Sequence, residues 1–154
     1  MAVMATVSGL FPMNLNQIFA AADISASGLQ AERLHMEVVA NNIANQQTTR
    51  TANGEPYRRQ QVLLTNLAED GGRPDTLSGV RIEAITPDQS PFRSVYDPGH
   101  PHADEHGQVQ LPNVDLPHEM VDLLVASRAY ESNLKSLETF KQITKQTLSL
   151  LRET

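Results

Sequence analysis

Residues 116–151, "LPHEMVDLLVASRAYESNLKSLETFKQITKQTLSLL", decide how this chain is built. After Pro117 the stretch holds no Gly and no Pro, so nothing interrupts a helix for about ten turns. Asp115 stands where an N-cap belongs. Pro117 falls in the first turn, where its missing N–H is harmless. Met120, Leu123, Tyr130, Leu134 and Leu137 recur in steps of three, four and seven, and the stripe drifts on through Phe140, Thr144 and Leu148 to Leu151. A helix this long with one apolar stripe needs a partner along that stripe.

A partner of matching length lies at the other end of the chain. From about residue 16 to 45, Ala22, Leu29, Met36 and Ile43 repeat at heptad spacing, with Ile18, Ala26 and Ala40 on the second stripe position and Arg33 breaking it. Gly28 costs a helix about 1 kcal/mol against Ala, and small residues around it would let a second helix come close. The two helices would reach roughly 45 and 54 Å, too long for a compact domain of this size.

Between the helices the pattern changes. Segments 54–67 and 78–88 are partly alternating strand candidates separated by the turn-rich "AEDGGRPDTLSG", and "FRSVYDP" and "GQVQLPN" suggest two further brief strands. The expected fold is α+β: two long terminal helices in a coiled-coil-like layer, with a small β-rich insert between them. The expected division is an N-terminal extension without fixed structure (1–15), an N-terminal helix (16–50), the insert with its loops (51–114) and a C-terminal helix (115–152) that pairs with the first.

Composition narrows the function. A net charge of −6 argues against nucleic acid, whose phosphates call for clustered Lys and Arg. The absence of cysteine excludes disulfides, thiolate metal sites and thiol nucleophiles. The first basic residue is Arg33, so the mildly apolar start lacks the basic region of a secretory signal. No apolar run is long enough for a membrane span.

Three of the five histidines, His100, His102 and His106, crowd into "DPGHPHADEHGQ" (97–108) beside Asp97, Asp104 and Glu105. Spacing alone would permit a three-His metal site. Pro98, Gly99, Pro101 and Gly107 instead describe a polar surface loop, read here as a connector from the insert to the C-terminal helix. "HEMVD" (118–122) has Asp122 where the metalloprotease helix would carry its second His, and no nucleophile elbow or phosphate-binding loop occurs. Nothing here argues for catalysis or a cofactor. The odder feature is "ANNIANQQTT" (40–49), where Asn41, Asn42 and Asn45 cluster at the expected end of the first helix. One Asn there is an ordinary helix terminator. Three carboxamides suit a hydrogen-bonded joint between neighbouring chains.

"ANNIANQQTT" resembles the N-terminal signature of bacterial flagellar axial proteins, which form the rod, hook and hook-associated segments. "GEPYRRQQV", "VYDPGHPHADEHGQVQLPNVD" and "EMVDLLVASRAYESNLKSLETFKQITKQTLSL" resemble the proximal-rod members of that family, in the right order, from about Ile18 to Leu151. Ala40, Asn41, Asn42, Ala44 and Asn45 match the axial signature. Tyr96, Pro98, Gly99, Pro101, Ala103, Asp104, Gly107, Val109, Pro112, Asn113 and Val114 match the central motif, and Ala126, Arg128, Tyr130 and Asn133 match the C-terminal one. Gln108 departs from the Tyr often found there, and residues before Met13 extend beyond the usual start.

The resemblance implies a structural subunit and no enzyme. It would be exported by the flagellar type III apparatus without a cleaved signal and built into a periplasmic rod with copies of itself, other rod subunits, and adjoining membrane-ring and rod-adaptor proteins. Helix packing would fall to Leu29, Met36, Ile43, Leu123, Tyr130, Leu134 and Leu137. Joints between subunits would fall to Asn41, Asn42, Asn45, Tyr96, Pro98, Gly99, Pro101, Asp104, Asn113, Arg128 and Asn133. The competing readings are another rod component, a metal-dependent enzyme built on the loop histidines, and a soluble coiled-coil adaptor.

Overall fold

A computed structural model describes residues 15–67 and 79–152. Helix α1 spans Leu15–Ala44 and helix α2 spans Leu116–Arg152, with four strands between them: β1 (Gln60–Asn66), β2 (Val80–Pro87), β3 (Arg93–Tyr96) and β4 (Gln108–Leu111). This is the expected α+β plan of two long helices and a small insert. The proposed N-terminal extension lies outside the described residues except for Leu15, which opens α1, and so does nearly all of the turn-rich stretch after β1.

Asn42, near the end of α1, meets Glu119 in the first turn of α2, while Gly28 faces Asn133, so the helices run antiparallel. On α1 the covered line is Ile24, Gly28, Ala31, His35, Val38 and Asn42; on α2 it is Glu119, Leu123, Ala126, Tyr130, Asn133, Leu137, Phe140 and Thr144. Both lines step alternately by four and three, the spacing of a coiled-coil seam. The line on α1 runs beside the stripe read from its large residues. Leu29, Met36 and Ile43 are half-buried on its flank, and Ala40 is exposed. On α2, Leu123, Tyr130 and Leu137 lie on the line, whereas Met120 and Leu134 face outward and their polar neighbours Glu119 and Asn133 turn in. Small and polar residues can fill a seam when the partner helix comes close or supplies hydrogen bonds, and a search for large apolar residues passes over them.

Strands β1 and β2 form an antiparallel hairpin, Gln60 opposite Pro87 through Asn66 opposite Val80, with a register shift between Leu63 and Leu64. Along β2 the half-buried residues Val80, Ile82, Ala84 and Thr86 alternate with exposed Arg81, Glu83, Ile85 and Pro87, giving the hairpin a covered face. Both strands pack on α1, where Ser27 Oγ accepts from the N–H of Val80 at 3.1 Å. The first strand starts at Gln60 and not near residue 54, because the chain turns first: Gly54 takes φ +81° and donates to Thr51 O, while the Thr51 N–H donates to Glu55 O.

Strands β3 and β4 form a second antiparallel hairpin, Arg93 opposite Leu111 and Tyr96 opposite Gln108. The stretch 97–108 is therefore mostly the loop of that hairpin, inside the insert, and not a connector to the C-terminal helix. The run that leads into α2 is Pro112 to Asp115, in which Pro112 and Val114 are buried.

Candidate functional site

The site begins with two polar residues that are fully buried, Asn42 and Glu119. The helix seam carries Asn42 inward, and its carboxamide is used completely. Nδ2 donates to Gln60 O at 2.9 Å and to Glu119 Oε2 at 3.0 Å. Oδ1 accepts from Tyr57 Oη and from the Gln60 N–H, each at 2.9 Å. One side chain thus joins α1, the segment entering β1 and the start of α2.

Glu119 is neutralised from the other side. Arg59, one residue before β1, donates its Nε to Glu119 Oε1 and its Nη2 to Asp122 Oδ2 at 3.3 Å, and its Nη1 lies 3.5 Å from Asp88 Oδ2. The guanidinium fork meets three carboxylates from α2 and from the residue just after β2. Burial opposes its charge, but the hydrogen bond and charge of Glu119, with the charges of Asp122 and Asp88, outweigh burial and hold Arg59 above its ordinary value. Burial, reinforced by the charge of Glu119, raises Tyr57 and keeps its hydroxyl a donor to Asn42.

Asn113 closes the knot from the foot of the second hairpin. Its Oδ1 accepts from the Arg59 N–H at 2.8 Å, and its Nδ2 donates to Ser90 Oγ at 2.8 Å and to Asp88 O at 3.2 Å. The backbone N–H of Ser90 holds Asp88 below the usual carboxylate range against the opposing effect of burial, helped by the Ser90 hydroxyl, Gln61 and Arg59. Arg58 donates to Asp88 O and Ser90 O and lies 4.2 Å over the Phe92 ring. Among the described residues no buried side-chain polar atom lacks a hydrogen-bond partner.

The other Asn residues of the signature act locally. Asn41 Nδ2 donates to Glu37 O, and Asn45 Nδ2 donates to Asn41 O, both along the helix end. Asn45 Oδ1 accepts from Thr48 Oγ1 and so starts the exit turn. Of the residues expected at joints between chains, Asn42 is spent entirely inside its own chain, and Asn113 and Asn133 are half-buried there. Asn41, Tyr96, Pro98, Gly99, Pro101, Asp104 and Arg128 are exposed, and Asn45 is half-buried. Arg59 and Glu119 were missed from sequence. The signal that marks them is an Arg two residues after a Tyr together with an acidic residue in the first turn of the long helix, which is weak until the fold brings them together.

The hairpin loop is organised by aspartates. Asp104 Oδ1 accepts from the backbone N–H groups of Gln108 and His106. The Gln108 N–H holds Asp104 below its ordinary range against the opposing effect of burial, with help from the His106 N–H and charge. Asp97 Oδ1 accepts from the Gly99 N–H. Gly107 takes φ +75°, and a Cβ there would meet Tyr96 Cε2 at 2.9 Å and Pro98 Cβ at 3.2 Å. The rings of His100 and His102 sit edge to face at 5.3 Å. His100 Nδ1 accepts from the His102 N–H, and His102 Nδ1 shares a hydrogen bond with Thr49 Oγ1 at 2.8 Å. Among the described residues no three His, Asp or Glu side chains are grouped to hold a metal ion.

The knot draws on the two ends of the chain and the insert at once, and the same regions match known proteins. Residues 23–50 match the family model "Flagella basal body rod protein", and residues 105–150 match "Flagellar basal body rod FlgEFG protein C-terminal". The flagellar basal-body rod protein FlgC of Borreliella burgdorferi is 39% identical over 88% of this chain and 98% of its own length. Its namesake from Yersinia enterocolitica is 40% identical over 90% and 98%, and that from Bacillus subtilis 40% over 86% and 97%. The chain belongs to the FlgC family of flagellar basal-body rod proteins. Membership makes it a structural subunit of the flagellar basal body, with a role in motility. In this FlgC-family chain, both family-model matches include residues of the polar knot: the first takes in Asn42, and the second takes in Asn113, Glu119 and Asp122.

Proposed function

We propose that this subunit belongs to the proximal part of the rod, where it joins copies of itself and other rod subunits in a helical array and transmits torque mechanically. The observation that carries this reading is the outward face of α2. Met120, Val121, Leu124 and Val125 are all more than half exposed on the side away from α1, and Ile143 and Leu148 are exposed farther along. Beside them, Ala21, Ser25, Ser132, Ser136, Phe140 and Ile143 line an open hollow of about 480 Å³ between the helices. So much apolar helix surface calls for burial by neighbours, and head-to-tail contacts of this kind generate helical assemblies. Helix packing through Leu29, Met36, Ile43, Leu123, Tyr130, Leu134 and Leu137 and joints through the exposed loop residues belong to the same proposal.

In this reading the rod crosses the periplasm, the chain reaches it through the flagellar type III export apparatus, and membrane-ring and rod-adaptor proteins meet its ends. It performs no catalysis and holds no cofactor. Deleting the gene is expected to abolish flagella and motility while the export machinery still forms; a motile, fully flagellated deletion strain would sink the proposal. The loop histidines have no ligand role here. A His102→Ala, His106→Ala protein should restore motility to the deletion strain, and purified wild-type protein should carry no stoichiometric zinc.

A further inference from the structure

The two helices pair along seams whose apolar members do little to fix one alignment. Ala31, Val38, Ala126 and Leu123 are small or medium aliphatic groups, and sliding one helix by a heptad would still bring aliphatic positions together. Two polar contacts behave differently. Asn42 donates to Glu119 with both side chains fully buried. Gly28 faces Asn133 so closely that an added Cβ would lie 2.7 Å from Asn133 Nδ2. Residues 28 and 42 are two heptads apart on α1, and residues 119 and 133 are two heptads apart on α2. The pairs therefore fall into place together in a single antiparallel alignment.

We propose that Asn42–Glu119 and Gly28–Asn133 form a two-point key that fixes the register of the helix pair. A slip of one heptad would put Glu119 opposite His35 in one direction, and Asn42 opposite Ala126 in the other. Their buried carboxylate and carboxamide would lose each other. At the second point, the same slip would set Asn133 against a residue with a side chain, where the close approach over Gly28 is lost. One direction of slip places Ala21 there and the other His35. The key thus selects among alignments that the aliphatic contacts leave nearly equal, in the manner of a single buried Asn in a coiled coil. It holds within one chain and does not depend on where in a rod the subunit sits.

The chain lacks cysteine, so Glu37→Cys with Glu138→Cys gives two clean sites for spin labels on exposed positions of α1 and α2. Pulsed electron–electron resonance on the otherwise wild-type protein should give one narrow distance. Adding Asn42→Leu and Glu119→Leu should keep the circular-dichroism helix signal and split the distribution, with a second population displaced by roughly 10 Å, one heptad of rise. Asp122→Asn, which weakens an Arg59 contact outside the key, should keep the single distance. A broad distribution in the wild type, an undivided one in the double-leucine protein, or loss of that protein's helices each overturns the proposal. The last result would make the pair a general stabiliser and not a register device.

Discussion

At the scale of single residues, most of the knot's vulnerability rests on Arg59. Replacing it with Ala leaves Glu119 buried with only Asn42 as partner, and breaking a buried ion pair from one side is strongly destabilising. Arg59→Ala should cost about 3 kcal/mol in urea unfolding, while Arg58→Ala, which removes only exposed and partly buried carbonyl contacts and a stacking contact, should cost under about 1 kcal/mol. Gly107→Ala combines a left-handed backbone with a collision against Tyr96 and Pro98, so a loss of about 1–2 kcal/mol is expected by the same assay. None of these three residues stood out by periodicity. Arg59 is half of an Arg-Arg pair that reads as surface charge, and its role depends on carboxylates far away in sequence.

At the scale of elements, loops and strand ends carry the connections between the hairpins and α2. Asp88 lies one residue beyond β2, and its carboxylate bonds to Gln61 Nε2 at 2.8 Å and to the Ser90 N–H at 2.8 Å. Asp104 plays the same part in the second hairpin's loop. Both are held below the ordinary carboxylate range in the folded chain. The folded state therefore binds these protons less readily than the unfolded one. Their contribution is complete above the ordinary value near 4 and is lost as pH falls through the lowered folded value. Urea unfolding should show stability falling below about pH 4, and Asp88→Asn should flatten part of that fall. An identical acid limb in the variant would show that the Ser90 and Gln61 bonds contribute nothing in solution. The strands themselves were legible from alternation and turn residues. The placing of 97–108 as a hairpin loop was not, because the two brief strands expected on either side of it, 93–96 and 108–111, do not show locally that they pair with each other.

At the scale of the whole molecule, an antiparallel helix pair carries one hairpin against α1 and a second hairpin tied in at its foot by Pro112, Asn113 and Val114. The inward seam of α2 is satisfied by α1, whereas among the described residues its outward apolar face, Met120, Val121, Leu124 and Val125, is left more than half exposed. Leu124→Glu with Val125→Glu should leave the helix signal and thermal midpoint of the isolated chain within experimental scatter, since both side chains are more than half exposed. The same variant should fail to restore swimming in a deletion strain. Full complementation would show that this face is not buried in the assembled shaft.

The sequence by itself determined the two helices, the β insert, the absence of cysteine chemistry and the family signature. Each of these is written in local spacing or composition. Heptad periodicity could show that the helices need partners, but it favoured Leu29, Met36 and Ile43 over the smaller line Gly28, Ala31, Val38 and Asn42. The tertiary structure alone decided that line, because a seam of small and polar residues is stable only when the opposite helix supplies close contact and hydrogen bonds. It also decided what the asparagines do. Asn41 and Asn45 finish the helix, and Asn42 is taken up completely by Tyr57, Gln60 and Glu119, groups that only folding brings within 3.0 Å of it.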